Sequence, residues 1–324
     1  MELAVCSDAA LSAADSRMAT AYRTDLSRLS SNSVGLLRVD QVQWLAYVQE
    51  VCLVNAPTTT KADAAGCLKP IYDDRIQQLR TAIAVRDGLT FLKRTQFLAV
   101  AEKADGPAPS AEHAGFGTLT AEWPAADTDA AEWIQWSAAM EARMLKTAGA
   151  GQEQELENGR KKKLPMAWVD AMALQTDTQL SAVVKSVEHG RVTAIITTSG
   201  MGHGAAHPFD GVETVTWLLA DKRALRGGDV FAAADWKSRL AALCWDDLKA
   251  RNEKEAFLYD EVNGPGAKAL QDVVADTTNW TLEQDGLHIS YPNYTIAPRL
   301  AHPDDTVIAW SSVKPSLQKS FVQP

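Results

Sequence analysis

Apolar residues in the first quarter of the chain recur three or four positions apart. Leu11, Met18, Tyr22, Leu26 and Leu29 do so between Asp8 and Ser30, which predicts an amphipathic helix. Ser30-Ser31-Asn32-Ser33 reads as a turn, with Ser33 as N-cap of a second helix. That helix carries Leu37, Gln41, Trp44, Leu45 and Val48 and runs on to about Val54. Two helices joined by so short a turn pack antiparallel, and the hairpin returns Cys52 to the level of Cys6. Asn55 to Gly66 reads as a loop. Lys69 to Val85 reads as a third helix, with Tyr72, Ile76 and Leu79 on one face.

From Gly88 the pattern changes. Thr90 to Val100 and Phe116 to Trp123 read as strands, separated by an Ala/Pro/Gly loop from Ala104 to Gly115. Asp127 to Lys146 returns to helical spacing, with Trp133, Trp136, Met140 and Met144 as a stripe read as core. Gly149 to Lys163 is polar and charged, and Arg160-Lys161-Lys162-Lys163 reads as its solvated flank. Trp168, Val183 to Val187 and Val192 to Thr198 are strand-like, with His189-Gly190 as a hairpin tip. Trp217 to Phe231 reads as a strand and an Arg-Gly-Gly turn, followed by helices over Asp235 to Phe257 and Ala267 to Ala275.

The closing stretch alternates with period two. Asp285-Gly286 is a hairpin dipeptide, after which Leu287, Ile289 and Tyr291 alternate with His288 and Ser290. Tyr294 and Ile296 resume the pattern, Pro298 ends it, and Thr306 to Trp310 form a last strand. The expected fold class is α+β: a helical domain over residues 1–86, stapled by disulfide, then an α+β domain with an antiparallel sheet over 87–324.

Composition narrows the function. At 324 residues with 46% apolar and 23% charged, the chain is an ordinary soluble protein able to bury more than one core. A net charge of −9 argues against nucleic acid, since nothing would neutralise phosphates, and suits a cationic partner. No apolar run approaches the ~20 residues that span a bilayer. The N-terminus lacks a signal peptide's basic and apolar regions, so the expectation is a mature exported chain whose signal has been removed. Cys6 with Cys52 is the expected disulfide, and Cys67 with Cys244 its complement among the three pairings four cysteines allow.

Two resemblances follow from quoted residues. Cys6-x-x-x-x-Leu11-x-x-x-Asp15, Tyr22, Trp44-Leu45, Cys52, Gly66-Cys67-Leu68, Tyr72 and Arg75-Ile76 resemble the LprI-type domain over about residues 3–82. Gln43 directly precedes Trp44, although Gln41 stands at the family's usual offset, and Val48 replaces the family's Arg. Gly204-Ala205-Ala206-His207, the Tyr294-Thr295-Ile296-Ala297-Pro298 run and the Val307-to-Pro315 segment are similar to the RsiV-like extracytoplasmic domain. The first resemblance implies a lysozyme inhibitor and the second a lysozyme-sensing module. Together they imply a periplasmic, non-enzymatic protein that binds a peptidoglycan-cleaving enzyme, as inhibitor or immunity protein. A stress-sensor ectodomain and a cell-wall hydrolase are the alternatives.

Candidate chemistry is sparse. His203 and His207 stand four apart, as zinc ligands on a helix do, but the surrounding glycines and Pro208 disfavour helix and no third ligand follows. No metal or cofactor is expected. Ser199 lacks a G-x-S-x-G elbow, and Asp304-Asp305 reads as a solvated turn. The candidate partner-binding residues are Trp44, Gly202, His203, Gly204, His207, Tyr291 and Tyr294, with Trp310 a further aromatic weighed against core packing.

Overall fold

Capping side chains set the helix starts near the N-terminus. Helix α1 (Glu2–Ser7) leads into α2 (Ala9–Leu26), which begins where the Asp8 carboxylate accepts the Leu11 amide at 2.9 Å. Helix α3 (Ser31–Gln49) ends in a π-helical turn, Glu50–Val54, and α4 spans Lys61–Arg80. Ser30, not Ser33, is the N-cap of α3. Its Oγ takes the Ser33 amide at 3.4 Å and donates to Asp127 Oδ1 at 2.5 Å, leaving Ser33 buried inside the first turn. In this computed structural model, residues 2–54, 61–101, 116–147, 153–155, 161–163, 176–255 and 257–324 are described. The expected loop at 104–115, Arg160 and the strand-like Trp168 lie outside them.

The expected Cys6–Cys52 bridge is not formed. Cys52 is bonded to Cys67, fifteen positions on, with Cα atoms 5.8 Å apart. Cys52 lies in the turn that closes α3 and Cys67 in α4, so a short return of the chain brings them together. Cys6 is a free, exposed thiol and Cys244 a free, buried one, which also removes the Cys67–Cys244 pairing.

The third helix stops at Arg80 rather than Val85, because the next residues enter a sheet. Strand β1 (Ile83–Arg86) pairs with β2 (Leu89–Ala101) around Asp87 and Gly88, both in the left-handed region. Strand β2 pairs antiparallel with β3 (Phe116–Ala126), from Phe91↔Ala126 to Ala101↔Phe116. Helix α5 (Ala131–Thr147) packs on β3, and the short β4 (Glu153–Glu155) and β5 (Lys161–Lys163) pair with each other. Strand β6 (Thr176–Glu188) runs parallel to β3, as a crossover through α5 requires. Strand β7 (Arg191–Gly202) follows it.

The chain divides into two units, Met1–Val183 with Thr198–Phe209, and Val184–Thr197 with Asp210–Pro324. In the first, Leu11, Leu37, Trp44, Val48, Leu68, Tyr72 and Leu79 form one buried cluster that also takes in Leu92 and Phe97 of β2. The helical region therefore shares its core with the sheet beside it.

In the second unit the β6–β7 hairpin turns at His189–Gly190, both with positive φ, at the expected tip. Strand β8 (Phe209–Leu218) pairs with β9 (Arg223–Ala224), and α6 (Gly227–Val230) follows, so the expected strand is split between β8 and β9 and the Arg-Gly-Gly turn opens a short helix. Helices α7 (Trp236–Glu255) and α8 (Lys268–Ala275) pack against a sheet of β10 (Trp280–Leu282), β11 (Gly286–Ile289) and β12 (Thr306–Ala309), closed by α9 (Trp310–Val313). Gly286 opens β11, where a Cβ would meet the Ile308 carbonyl oxygen at 2.4 Å; close approach of β12 demands the glycine. Tyr294 and Ile296 do not resume a strand. Tyr294 has φ +60 and sits in a turn where the Thr295 amide donates to the Pro292 carbonyl at 3.2 Å.

Candidate functional site

The residues of the LprI-type pattern touch one another. Trp44, 1% exposed, meets the Tyr72 ring edge-on with centroids 5.1 Å apart, and the Tyr72 hydroxyl donates to Asp15 at 3.2 Å. Arg75 Nε donates to Gln41 Oε1 at 3.1 Å, so Gln41 faces the cluster. Trp44 is thus an interior residue, and it acts on any partner only through the scaffold it holds.

Beside this cluster, within the first unit, lies a cleft of about 420 Å³ between α3 and α4 on one side and β2, β3 and β6 on the other. Arg75 reaches it with 2% exposure. Its Nη1 donates to Gln78 at 3.3 Å, its guanidinium lies 5.4 Å from the centre of the Phe97 ring, and its Nη2 has no hydrogen-bond partner. Burial lowers the Arg75 pKa to about 10, so it stays charged at neutral pH; the Asp40 and Glu122 carboxylates oppose that shift. Burial also raises the Tyr47 hydroxyl to about 12. In the sequence Arg75 stands only as one position of the LprI-type pattern. The overlooked signal was a cation on the apolar face of a helix, three residues after Tyr72 and four before Leu79.

The loop after β7 is built differently from expectation. The Ala205 amide donates to Gly202 O at 2.9 Å, and Gly204 follows with φ +79. The His203 side chain is only 3% exposed, with Nε2 3.1 Å from Asp177 Oδ2; Asp177 Oδ1 in turn accepts the Thr118 hydroxyl at 2.5 Å. His203 is therefore an internal latch and not a polar tip. His207 is exposed and its Nδ1 donates to the Pro208 carbonyl at 3.1 Å, so the two histidines do not converge. Among the described residues, no three His, Cys, Asp or Glu side chains gather as a metal site. Beside His207 the loop also exposes two large apolar side chains, Met201 and Phe209. The Phe209 ring lies over Gly200, where a Cβ would come within 2.3 Å of it.

In the second unit the aromatic candidates separate. Tyr291 is 2% exposed; its hydroxyl shares a 2.7 Å hydrogen bond with Thr306, which donates to Asp247 at 2.6 Å. Burial pushes the Tyr291 hydroxyl far above its ordinary pKa. Trp310 is buried too, donating its indole N–H to Glu283 O at 2.8 Å. Tyr294 alone of the three stands out, at 57% exposure. Its turn is held by Asn293 Nδ2 donating to Asp210 O at 3.1 Å and by an Arg299–Asp210 ion pair. Asp304 gives its carbonyl to Arg251 at 2.8 Å, in keeping with a turn rather than an acid/base pair.

Residues 1–79 match the family described as Lysozyme inhibitor LprI, and residues 228–302 match DUF3298, a family of proteins of unknown function. A DUF3298 family protein from Bacteroides fragilis is similar in structure at 17% identity, over 71% of this chain and 94% of that one, with a TM-score of 0.49. A DUF3298 family protein from Pseudomonas aeruginosa is similar at 13% identity, over 71% and 95%, with a TM-score of 0.44. No curated protein matches.

Proposed function

We propose that this protein binds and inhibits a lysozyme-like or other peptidoglycan-cleaving enzyme in the periplasm, as an inhibitor or immunity protein without chemistry of its own. The LprI-family domain at residues 1–79 carries this reading. The RsiV-like features of the C-terminal region point to the same class of target. An exported location agrees with the family and with the Cys52–Cys67 disulfide, which belongs to an oxidising compartment. Among the described residues, no helix is long and apolar enough to cross a membrane.

The acidic balance of −9 would steer the chain towards a basic hydrolase, an effect on association rate that fades as salt shortens the Debye length to about 8 Å. Affinity requires local burial. The loop with Gly202, Gly204 and His207, flanked by exposed Met201 and Phe209, supplies apolar surface in the first unit, and Tyr294 supplies it in the second.

The test is turbidity clearing of cell-wall suspensions by lysozyme-like and amidase enzymes, with and without the protein. Clearing should slow at stoichiometric inhibitor, and Phe209→Asp or Tyr294→Ala should relieve it according to which surface makes contact. If no enzyme is slowed at micromolar excess and calorimetry shows no heat of binding, the inhibitor reading fails.

A further inference from the structure

We infer that the cleft beside Arg75 is a binding site for a saccharide carrying an amide substituent, of the N-acyl amino sugar class. The inference does not rest on the proposed inhibition. Its volume of about 420 Å³ falls within the ~300–1,000 Å³ of small-molecule sites. Its lining combines one donor-only group with an acceptor-only group. Arg75 Nη2 is a buried, charged donor without a partner, in a side chain only 2% exposed. A buried donor left unmade costs about 1–3 kcal/mol or more, so an acceptor supplied from outside is strongly favoured there. Glu122, on the facing strand, is a carboxylate that meets Lys93 through Oε2 at 3.3 Å. A secondary amide offers one group to each: its carbonyl accepts from Arg75 and its N–H donates to Glu122.

The rest of the wall selects against other ligand classes. Asp74 and Glu122 place two carboxylates in the lining beside the guanidinium of Arg75, with Lys93 meeting Glu122, so the local charges already balance and a further anion is disfavoured. Gln78, Gln179 and Ser181 present amide and hydroxyl groups that both donate and accept, as vicinal sugar hydroxyls require, and leave a hydrocarbon ligand poorly matched. The Tyr47 and Phe97 rings, 5.5 Å apart and tilted by 37°, add an apolar wall suited to the C–H face of a pyranose. A peptide would satisfy the amide pair but has few hydroxyls for the polar side.

The test uses the full chain and three probes: N,N′-diacetylchitobiose; cellobiose, which keeps the skeleton without the acetamides; and acetyl-dialanine methylamide. The diacetyl sugar should bind by calorimetry and shift the backbone NMR signals of Gln179 and Ser181. Cellobiose should bind at least about tenfold more weakly, and the peptide should be silent. Glu122→Ala should weaken the diacetyl sugar by about tenfold, the loss expected for a hydrogen bond to a charged group. Arg75→Lys should do the same if it folds; the shifts in the unmodified protein decide the location independently of any variant. Equal binding of cellobiose, binding of the peptide with the sugar silent, shifts confined to other residues, or no heat from any probe at millimolar concentration would each overturn the inference.

Discussion

Arg94 clasps Asp40 through two nitrogens, Nε at 3.0 Å and Nη2 at 2.9 Å, with both residues buried. Asp40 belongs to α3 and Arg94 to β2, and the same carboxylate accepts the Thr95 amide at 3.0 Å. The pair thus ties the LprI-type helices to the sheet next to them. Removing one partner breaks the buried clasp and leaves Arg94 only the 3.9 Å approach of the half-exposed Glu141, so Asp40→Ala should cost about 3–5 kcal/mol in urea denaturation. The double change Asp40→Leu with Arg94→Met should cost less than the single one. A single change that leaves the midpoint unmoved would show that the clasp contributes nothing.

Trp44 and Tyr294 should behave oppositely. Trp44→Ala empties a core position and should cost about 3–5 kcal/mol. Tyr294→Ala changes an exposed side chain and should stay within about 0.5 kcal/mol. Thermal melts of the two variants check this directly, and only the Tyr294 variant can then report cleanly on binding.

The thiols should titrate in order. Cys6 is exposed and should react at once with an aromatic disulfide reagent, whereas burial raises the Cys244 thiol to about 12 and shields it. One thiol should therefore be counted in the native protein, a second after unfolding, and two more only after reduction releases Cys52 and Cys67. A native count of two or none contradicts the assignment.

Acid should weaken one link selectively. Hydrogen bonds from Arg223, at 2.6 and 2.7 Å, hold the Asp229 carboxyl below its ordinary pKa. Its stabilisation is present above the unfolded value of about 3.9 and is lost as pH falls through the depressed folded value. Asp229→Asn should destabilise at pH 6 and do so progressively less towards pH 2. Asp40 has the opposite sign: burial raises its pKa, so its contribution declines as pH rises from about 3.9 through the raised value. Denaturation midpoints across pH 2–6 distinguish the two.

Helical periodicity made α2, α3 and α5 legible, because Leu11, Trp44 and Trp136 sit on faces that a 3.6-residue repeat cannot hide. Boundaries were less so. Ser30 and Ser33 are both competent caps, and only the Asp127 carboxylate beside Ser30 decides between them. Ile83 and Val85 continue a helical pattern locally, yet their pairing with β2 makes them a strand. A helical hairpin brings Cys6 and Cys52 to one end without excluding a nearer partner for Cys52, and Cys67 is that partner. For the candidate site, aromatic and histidine content said nothing of direction. His203, Trp44 and Tyr291 all turned inward, while the cleft around Arg75 draws on residues from 44 to 181 that no local pattern joins.

The Cys52–Cys67 bond makes residues 52–67 a closed ring within an otherwise linear chain. A protease that cuts once inside that ring severs the polypeptide without releasing either piece. The nicked protein would still run as a single band until reductant opened the sulfur bridge. Wherever proteases meet the protein, such a ring would let the α3–α4 pair survive a cut that would otherwise divide the LprI-matching region in two.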